Sequence, residues 1–92
     1  MKFHSHELPL PPQIDHDPDA IEVLRLWQSG TQHHVSMNPK LEGKPENFGA
    51  ALAQLAIHSA SIHAKHHKIS TEEALRRIIH GYKNELASKV SG

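Results

Sequence analysis

The sequence predicts a small α+β domain with three helices and one or two short strands, completed as a sheet by a two-fold dimer. Two patterns predict this fold class. Apolar residues recur at helical spacing in three segments, and one segment between them, residues 31–37, alternates between apolar and polar side chains. With 92 residues the chain is of single-domain length and has a thin core. We expect a flexible or weakly extended arm over residues 1–12 and one domain over 13–90.

The first helix is expected over residues 18–29. Asp17 is a favourable N-cap, and Pro18 suits the first helical position. Its packing residues, at helical spacing, are Ile21, Leu24 and Trp27. Gly30 is then expected to end the helix in the left-handed conformation.

Residues 31–37 (TQHHVSM) are predicted to form a half-buried strand that ends at Asn38-Pro39. The face that this strand turns to the core carries His33, Val35 and Met37. One strand alone leaves its backbone amides and carbonyls without partners. The partner is either the segment 2–8, a short strand near Leu41, or the same strand of a second subunit, paired antiparallel about a two-fold axis.

Two further helices follow. The first is predicted over residues 46–67 and is apolar on two sides, which is typical of a central helix or of an interface. One of its stripes comprises Phe48, Leu52, Leu55 and Ile62, and the other comprises Ala50, Ala53, Ile57 and Ala64. The small side chains of the second stripe favour close approach by another helix. The last helix begins after a capping box at Ser70 and Glu73, and its packing stripe comprises Leu75, Ile78, Ile79, Tyr82 and Leu86.

The composition narrows the function classes. Ten lysines and arginines balance ten aspartates and glutamates, so no overall field favours nucleic acid or an anionic membrane. The absence of cysteine removes disulfides and thiolate metal sites. We find no signal peptide, and no apolar segment approaches the roughly 20 residues of a membrane span. We therefore expect a cytoplasmic protein with no membrane partner and no nucleic-acid partner.

Ten histidines are the unusual feature of the composition. His63 and His67 lie four residues apart on a predicted helix, so both imidazoles project from one face and are spaced to chelate zinc or nickel, with His66 as an additional ligand. Lys65 and Lys68 repel a cation, however, and basic residues are common at the negative end of a helix dipole. A solvated helix end is therefore the simpler interpretation, and a metal site is the alternative.

Three other residues are candidates for a functional role: Trp27, His34 and His58. A histidine in the middle of a strand, such as His34, is most simply a hydrogen-bonded core or interface residue, and in a dimer its protonation would make that contact pH-sensitive. His58 flanks the main apolar stripe, so we expect it to be half-buried. Either imidazole would suit a general base in a small enzyme. No nucleophile constellation or phosphate-binding loop accompanies them in the sequence.

Three segments together resemble a family of small bacterial proteins catalogued as domain of unknown function 5076. These segments are DPDAIEVLRLW, HHVSMNP and PENFGAALAQLAIHSASIHA. The resemblance covers about residues 8–86, and it marks Asp17, Glu22, Leu24, Trp27, His34, Val35, Ser36, Phe48, Gly49 and His58. The sequence departs from the family pattern at Phe48, where the family pattern leads us to expect tryptophan, and in its additional histidines. The family name implies a fold unit and no activity.

The sequence therefore predicts a structural or interaction module that is homodimeric and has no catalytic residues. The prediction depends on the unpaired strand and on the two-sided helix 46–67. A histidine-based protein that binds or responds to a divalent metal is the alternative.

Overall fold

The computed structural model describes residues 4–40 and 43–90, and the chain divides into two compact units, Met1–Leu41 and Glu42–Gly92. We call them the strand unit and the helix unit. The elements in chain order are α1 (Pro12–Asp15), β1 (Leu24–Ser29), β2 (Gln32–Met37), α2 (Pro45–His67) and α3 (Thr71–Val90). Three helices and a two-stranded sheet confirm the predicted α+β class. The single domain expected over 13–90 stays a prediction, because compact units need not fold independently.

In the strand unit, β1 and β2 form an antiparallel hairpin. Its six residue pairs run from Leu24 opposite Met37 to Ser29 opposite Gln32, and the loop between the strands has two residues, Gly30 and Thr31. Gly30 has φ +62°, whereas Thr31 is not among the positive-φ residues. A glycine with positive φ at the first loop position is typical of a type II′ turn, whose twist matches that of the strands it joins.

The helix predicted over residues 18–29 is wrong, since residues 24–29 are the strand β1. Its expected N-cap belongs to a turn, in which the Asp17 carboxylate accepts a hydrogen bond from the Asp19 amide at 3.0 Å. Gly30 does adopt the left-handed conformation, but it does so in a hairpin turn and not at the end of a helix. The segment LRLWQS-GT-QHHVSM carries the hairpin signal that was missed, which is a two-residue loop between two strand-length segments.

The strand predicted over 31–37 is confirmed as β2, but the expected half-burial is wrong, since all six of its residues are exposed. Its partner β1 is none of the three candidates. Of the segment 2–8, residues 4–8 contain a turn and no strand, and residues 2 and 3 lie outside the described residues. Leu41 lies outside them as well. Pairing of β2 with a second subunit stays a prediction. Because β1 occupies one edge of β2, such pairing would use the opposite edge.

In the helix unit, α2 and α3 confirm the two predicted helices. Three residues connect them, so two helices that pack on each other must run antiparallel. The left-handed residue that ends α2 is Lys68, with φ 57° and ψ 46°, and not a glycine. The predicted cap of α3 is also confirmed, because the Ser70 hydroxyl accepts a hydrogen bond from the Glu73 amide at 3.0 Å.

The core of the described residues is very small. Its buried side chains are Ala60, Ala64 and Ala74. Three partly buried residues pack against them: Ile69, Leu75 and Ile78. Among residues 4–40 no side chain is buried. No helix in the part of the chain that the structure describes is long and apolar enough to cross a membrane.

Candidate functional site

The two long helices contact each other through small side chains. Ala60 is completely buried, and Ala64 and Ala74 are nearly so. Alanine has no side-chain atom beyond Cβ, so its presence at a helix contact lets the two helix axes approach closely. Of the predicted small stripe, Ala64 is buried in the contact with α3, whereas Ala50, Ala53 and Ile57 are exposed, so the contact coincides with the stripe only at Ala64.

Because the buried residues of this contact are alanines, several larger apolar side chains of both helices remain exposed beside it. Leu52 and Leu55 from α2, and Ile78, Ile79 and Tyr82 from α3, line a cavity of about 460 Å³, which we call the hairpin groove. Leu55 is 55% exposed and Tyr82 is 56% exposed. Exposed apolar side chains gathered in one groove are typical of a surface that binds another protein.

The hairpin groove carries few polar groups. Its other lining residues are Gly49, Ala53, Ala56, Ser59 and Lys83, so the polar side-chain groups along it are the hydroxyls of Ser59 and Tyr82 and the ammonium of Lys83. General acid–base catalysis needs a titratable group within hydrogen-bond reach of the proton that moves. Lys83 has no carboxylate or imidazole beside it among the lining residues. The groove is therefore suited to binding apolar side chains.

The candidate metal ligands lie together at the other end of the helix hairpin. The rings of His63 and His67 are stacked, with centroids 5.8 Å apart and planes 4° from parallel. The ring of His66 meets that of His67 edge-on at 4.9 Å. The lone pair of an imidazole lies in the plane of its ring, so stacked rings do not direct their nitrogens at one shared metal position. Binding one metal through both would require a rotation of at least one ring.

No group of three or more histidine, aspartate or glutamate side chains is placed to hold a metal ion among residues 4–40 and 43–90. Arg77 lines a shallow cavity together with His63 and His67, and its guanidinium there is paired with Glu73 at 2.8 Å. The metal site at His63 and His67, with zinc or nickel as the ion, stays a prediction.

A second polar cluster lies in the strand unit, around Trp27 and Arg25. Trp27 is opposite His34 in the sheet register, and the ring of His4 meets the indole edge-on at 5.0 Å. Arg25 pairs with Glu7 and, at 2.8 Å, with Glu22.

Hydrogen bonding to Glu22 raises the pKa of the Arg25 guanidinium, and the negative charges of Glu22 and Glu7 act in the same direction. Arg25 is thus charged throughout the pH range in which proteins fold. The cluster fixes the N-terminal segment that precedes α1 against β1. No sequence pattern predicts this cluster, because the pattern places Arg25 in a helix over residues 18–29 and Glu7 in an arm over residues 1–12.

The remaining candidates are solvent-exposed. His58 was expected to be half-buried, but it is exposed, because the apolar stripe beside it has no covering element within the described residues. His33 shares a face with Val35 and Met37 as predicted, and all three are exposed, as is His34 on the opposite face. His58, in the helix unit, is not among the residues that line the hairpin groove.

The comparisons with known proteins agree with this fold. A family model described as domain of unknown function (DUF5076) matches residues 7–90. A solved structure from the photosynthetic bacterium Rhodopseudomonas palustrus CGA009, named provisionally as a pyruvate dehydrogenase, is similar to this chain with 30% sequence identity and a TM-score of 0.82. The similarity covers 99% of this chain and 92% of that one. No curated protein matches.

Proposed function

This chain belongs to the DUF5076 family, and we propose that it is a structural or interaction module that works as a homodimer, with the hairpin groove as the surface between the two copies. The observation that carries the proposal is the contrast between buried and exposed side chains. The buried ones are three alanines, whereas Leu55, Ile79 and Tyr82 in the groove are exposed. Burying one large apolar side chain contributes about 1.5–3 kcal/mol to stability. The exposed side chains of the groove do not make this contribution in the single copy.

A second copy is the partner that this surface fits. None of the described residues with a large side chain is fully buried in the single copy, so covering the groove would stabilise the fold, and a second copy is present wherever the chain is made. The groove lies between two antiparallel helices, and the exposed residues Leu86 and Val90 continue the stripe along α3 beyond Tyr82. Two such helix pairs placed face to face form a four-helix bundle with an isologous interface.

The name of the Rhodopseudomonas structure suggests pyruvate dehydrogenase activity, which the geometry of this chain does not favour. The hairpin groove offers the hydroxyls of Ser59 and Tyr82 and the ammonium of Lys83 as its polar groups, with no carboxylate or imidazole among its lining residues. The cavity beside Trp27, of about 390 Å³, holds Arg25 already paired with Glu7 and Glu22. Binding of an apolar surface is the activity that the groove supports best.

A matched pair of substitutions tests the proposal. Leu55 and Ile57 lie on the same helix and are equally exposed, at 55% and 56%, but Leu55 lines the hairpin groove and Ile57 does not. We expect sedimentation equilibrium between about 1 and 100 μM to give a dimer for the wild type. Leu55→Glu should raise the dimer dissociation constant at least about tenfold, the equivalent of about 1.4 kcal/mol, and Ile57→Glu should change it much less. A wild type that is monomeric at 100 μM, or equal effects of the two variants, would refute the proposal.

A further inference from the structure

The hydrogen-bonding direction of each residue in β2 follows from the sheet register. Val23 lies opposite Asn38 at the end of the ladder, and the Asn38 amide donates to the Val23 carbonyl at 2.9 Å. Hydrogen-bonded and non-hydrogen-bonded pairs alternate along an antiparallel ladder. Counting two residues at a time from this pair, the backbone of Ser36, His34 and Gln32 faces β1. The amides and carbonyls that face away from β1 are those of His33, Val35 and Met37.

This outer edge of β2 is bare in the described part of the chain. All six residues of β2 are exposed, whereas Leu24, Arg25 and Trp27 of β1 are half-buried beside the N-terminal segment. Natural edge strands commonly carry proline or charged residues that discourage pairing with another strand. The sequence QHHVSM contains no proline and no Asp, Glu, Lys or Arg.

We infer that the outer edge of β2 pairs antiparallel with β2 of a second copy, so that two hairpins form one four-stranded sheet. The inference rests on the proposed homodimer and identifies a second surface of it. A two-stranded hairpin is marginally stable in water, and three or more strands are needed for independent stability. A second copy fits this edge because β2 has no fixed charge at neutral pH that pairing would place beside its own copy. The joined sheet also carries Leu26, Val35 and Met37 of both copies on one face.

The two-fold axis restricts the register of this pairing. An axis perpendicular to the sheet preserves its faces, and residues opposite each other on neighbouring strands share a face. One residue must therefore lie directly opposite its own copy, and the central residues of β2 are His34 and Val35. The Cα atoms of such a pair are about 4.5 Å apart at His34, which is not hydrogen-bonded across this edge, or about 5.5 Å apart at Val35, which is. Both distances permit a disulfide.

The absence of native cysteine makes this register directly measurable. We expect either His34→Cys or Val35→Cys to form an intermolecular disulfide under mild oxidation, seen as a dimer band on a non-reducing gel. Leu26→Cys is the control, since Leu26 is on the same face as Val35 and is similarly exposed, at 63% against 57%. In the four-stranded sheet the two copies of Leu26 are separated by both β2 strands, so this variant should form the disulfide at least about tenfold more slowly.

A proline substitution tests the same edge without a disulfide. The amide of Val35 faces away from β1, so Val35→Pro removes an outer-edge donor and leaves the hydrogen bonds to β1 in place. We expect Val35→Pro to raise the dimer dissociation constant at least about tenfold in sedimentation equilibrium, with the helical circular dichroism unchanged. The inference is wrong if neither central cysteine forms the disulfide faster than Leu26→Cys, or if Val35→Pro dimerises like the wild type.

These outcomes separate the two surfaces. A wild type that stays a dimer and is sensitive to Leu55→Glu, but gives no disulfide at residues 34 or 35, overturns the strand pairing and leaves the groove interface standing. Disulfides at β2 together with insensitivity to Leu55→Glu support the strand pairing and overturn the groove interface. A monomeric wild type overturns both.

Discussion

The strand hairpin and the helix hairpin of this chain both form their contacts between neighbouring segments, and they differ in which side chains those contacts bury. In the strand hairpin, six residue pairs align in one register, and no side chain of residues 4–40 is buried. In the helix hairpin, the buried side chains are three alanines. Backbone hydrogen bonds form locally in both hairpins, apart from the outer edge of β2, whereas neither hairpin fully buries a large apolar side chain among the described residues. Local rules of sequence thus specify the two hairpins, and association with a second copy would supply the missing apolar burial.

The turns of the two hairpins differ in backbone strain. Each contains a residue in the left-handed conformation, Gly30 with φ +62° in the strand hairpin and Lys68 with φ 57° after α2. Glycine adopts this conformation without the steric cost that a Cβ atom imposes. The strand hairpin therefore has an unstrained turn, and the helix hairpin carries a cost that its helix contact must offset.

The largest effect is expected where the helix hairpin is most tightly packed. Ala60 is completely buried between α2 and α3, so Ala60→Leu has no space for three further carbon atoms and must separate the helices. We expect the free energy of unfolding to fall by about 1–3 kcal/mol, measured by urea denaturation followed by helical circular dichroism. Ala50→Leu is the control, because Ala50 is an exposed residue of the same helix and should change stability little. Equal losses in the two variants would contradict the alanine contact.

Substituting the left-handed residue of each turn tests whether the two turns differ in backbone strain. Gly30→Ala places a Cβ on a left-handed residue and should destabilise the protein by about 1–2 kcal/mol, although nothing lies within 4 Å of that Cβ. Lys68→Gly removes such a cost and should stabilise it by about 0.5–1 kcal/mol. Both values come from urea denaturation, and a change of the same sign in the two variants would contradict the expected strain.

Two spectroscopic probes assign these effects to the units. Trp27 is the single tryptophan of the chain, and it lies in β1, so its fluorescence reports the strand unit, while ellipticity reports the helices. One domain over 13–90 predicts that the two transitions coincide in the wild type and in both variants. If Gly30→Ala shifts the fluorescence transition alone, the strand unit unfolds separately.

The sequence predicted the helix unit well because its signals act over short distances. The Ser70 and Glu73 capping box and the apolar periodicity of α2 and α3 each depend on residues three or four apart. The prediction of a helix over residues 18–29 was wrong because Leu24 and Trp27 are three residues apart. This spacing fits one face of a helix and equally fits opposite faces of a strand. The deciding signal was the Gly30-Thr31 loop, which has meaning only when both flanking segments are considered together.

The candidate site was partly predictable. Leu52, Leu55 and Tyr82 were expected on apolar stripes, but the sequence does not say which stripe faces the other helix. The alanines settle this, since they permit the closer contact and leave the leucines outside it. The pairing of Arg25 with Glu7 joins residues 18 apart, and no local pattern reports such a contact.

The smallest effect is expected for metal binding at the closed end of the helix hairpin. The stacked rings of His63 and His67 do not converge on one position, and no third ligand group accompanies them in the described residues. Structural zinc sites use four protein ligands and catalytic sites three. We therefore expect calorimetric titration with zinc and with nickel to give dissociation constants no tighter than about 1 mM, equivalent to about 4 kcal/mol of binding free energy. His58→Ala is the matched control for His63→Ala, because His58 is an exposed histidine of the same helix outside the stacked pair. Tighter binding that is lost in His63→Ala and kept in His58→Ala would establish the metal site. It would also show that the free energy needed to rotate one ring is smaller than the free energy gained from the metal–imidazole bonds.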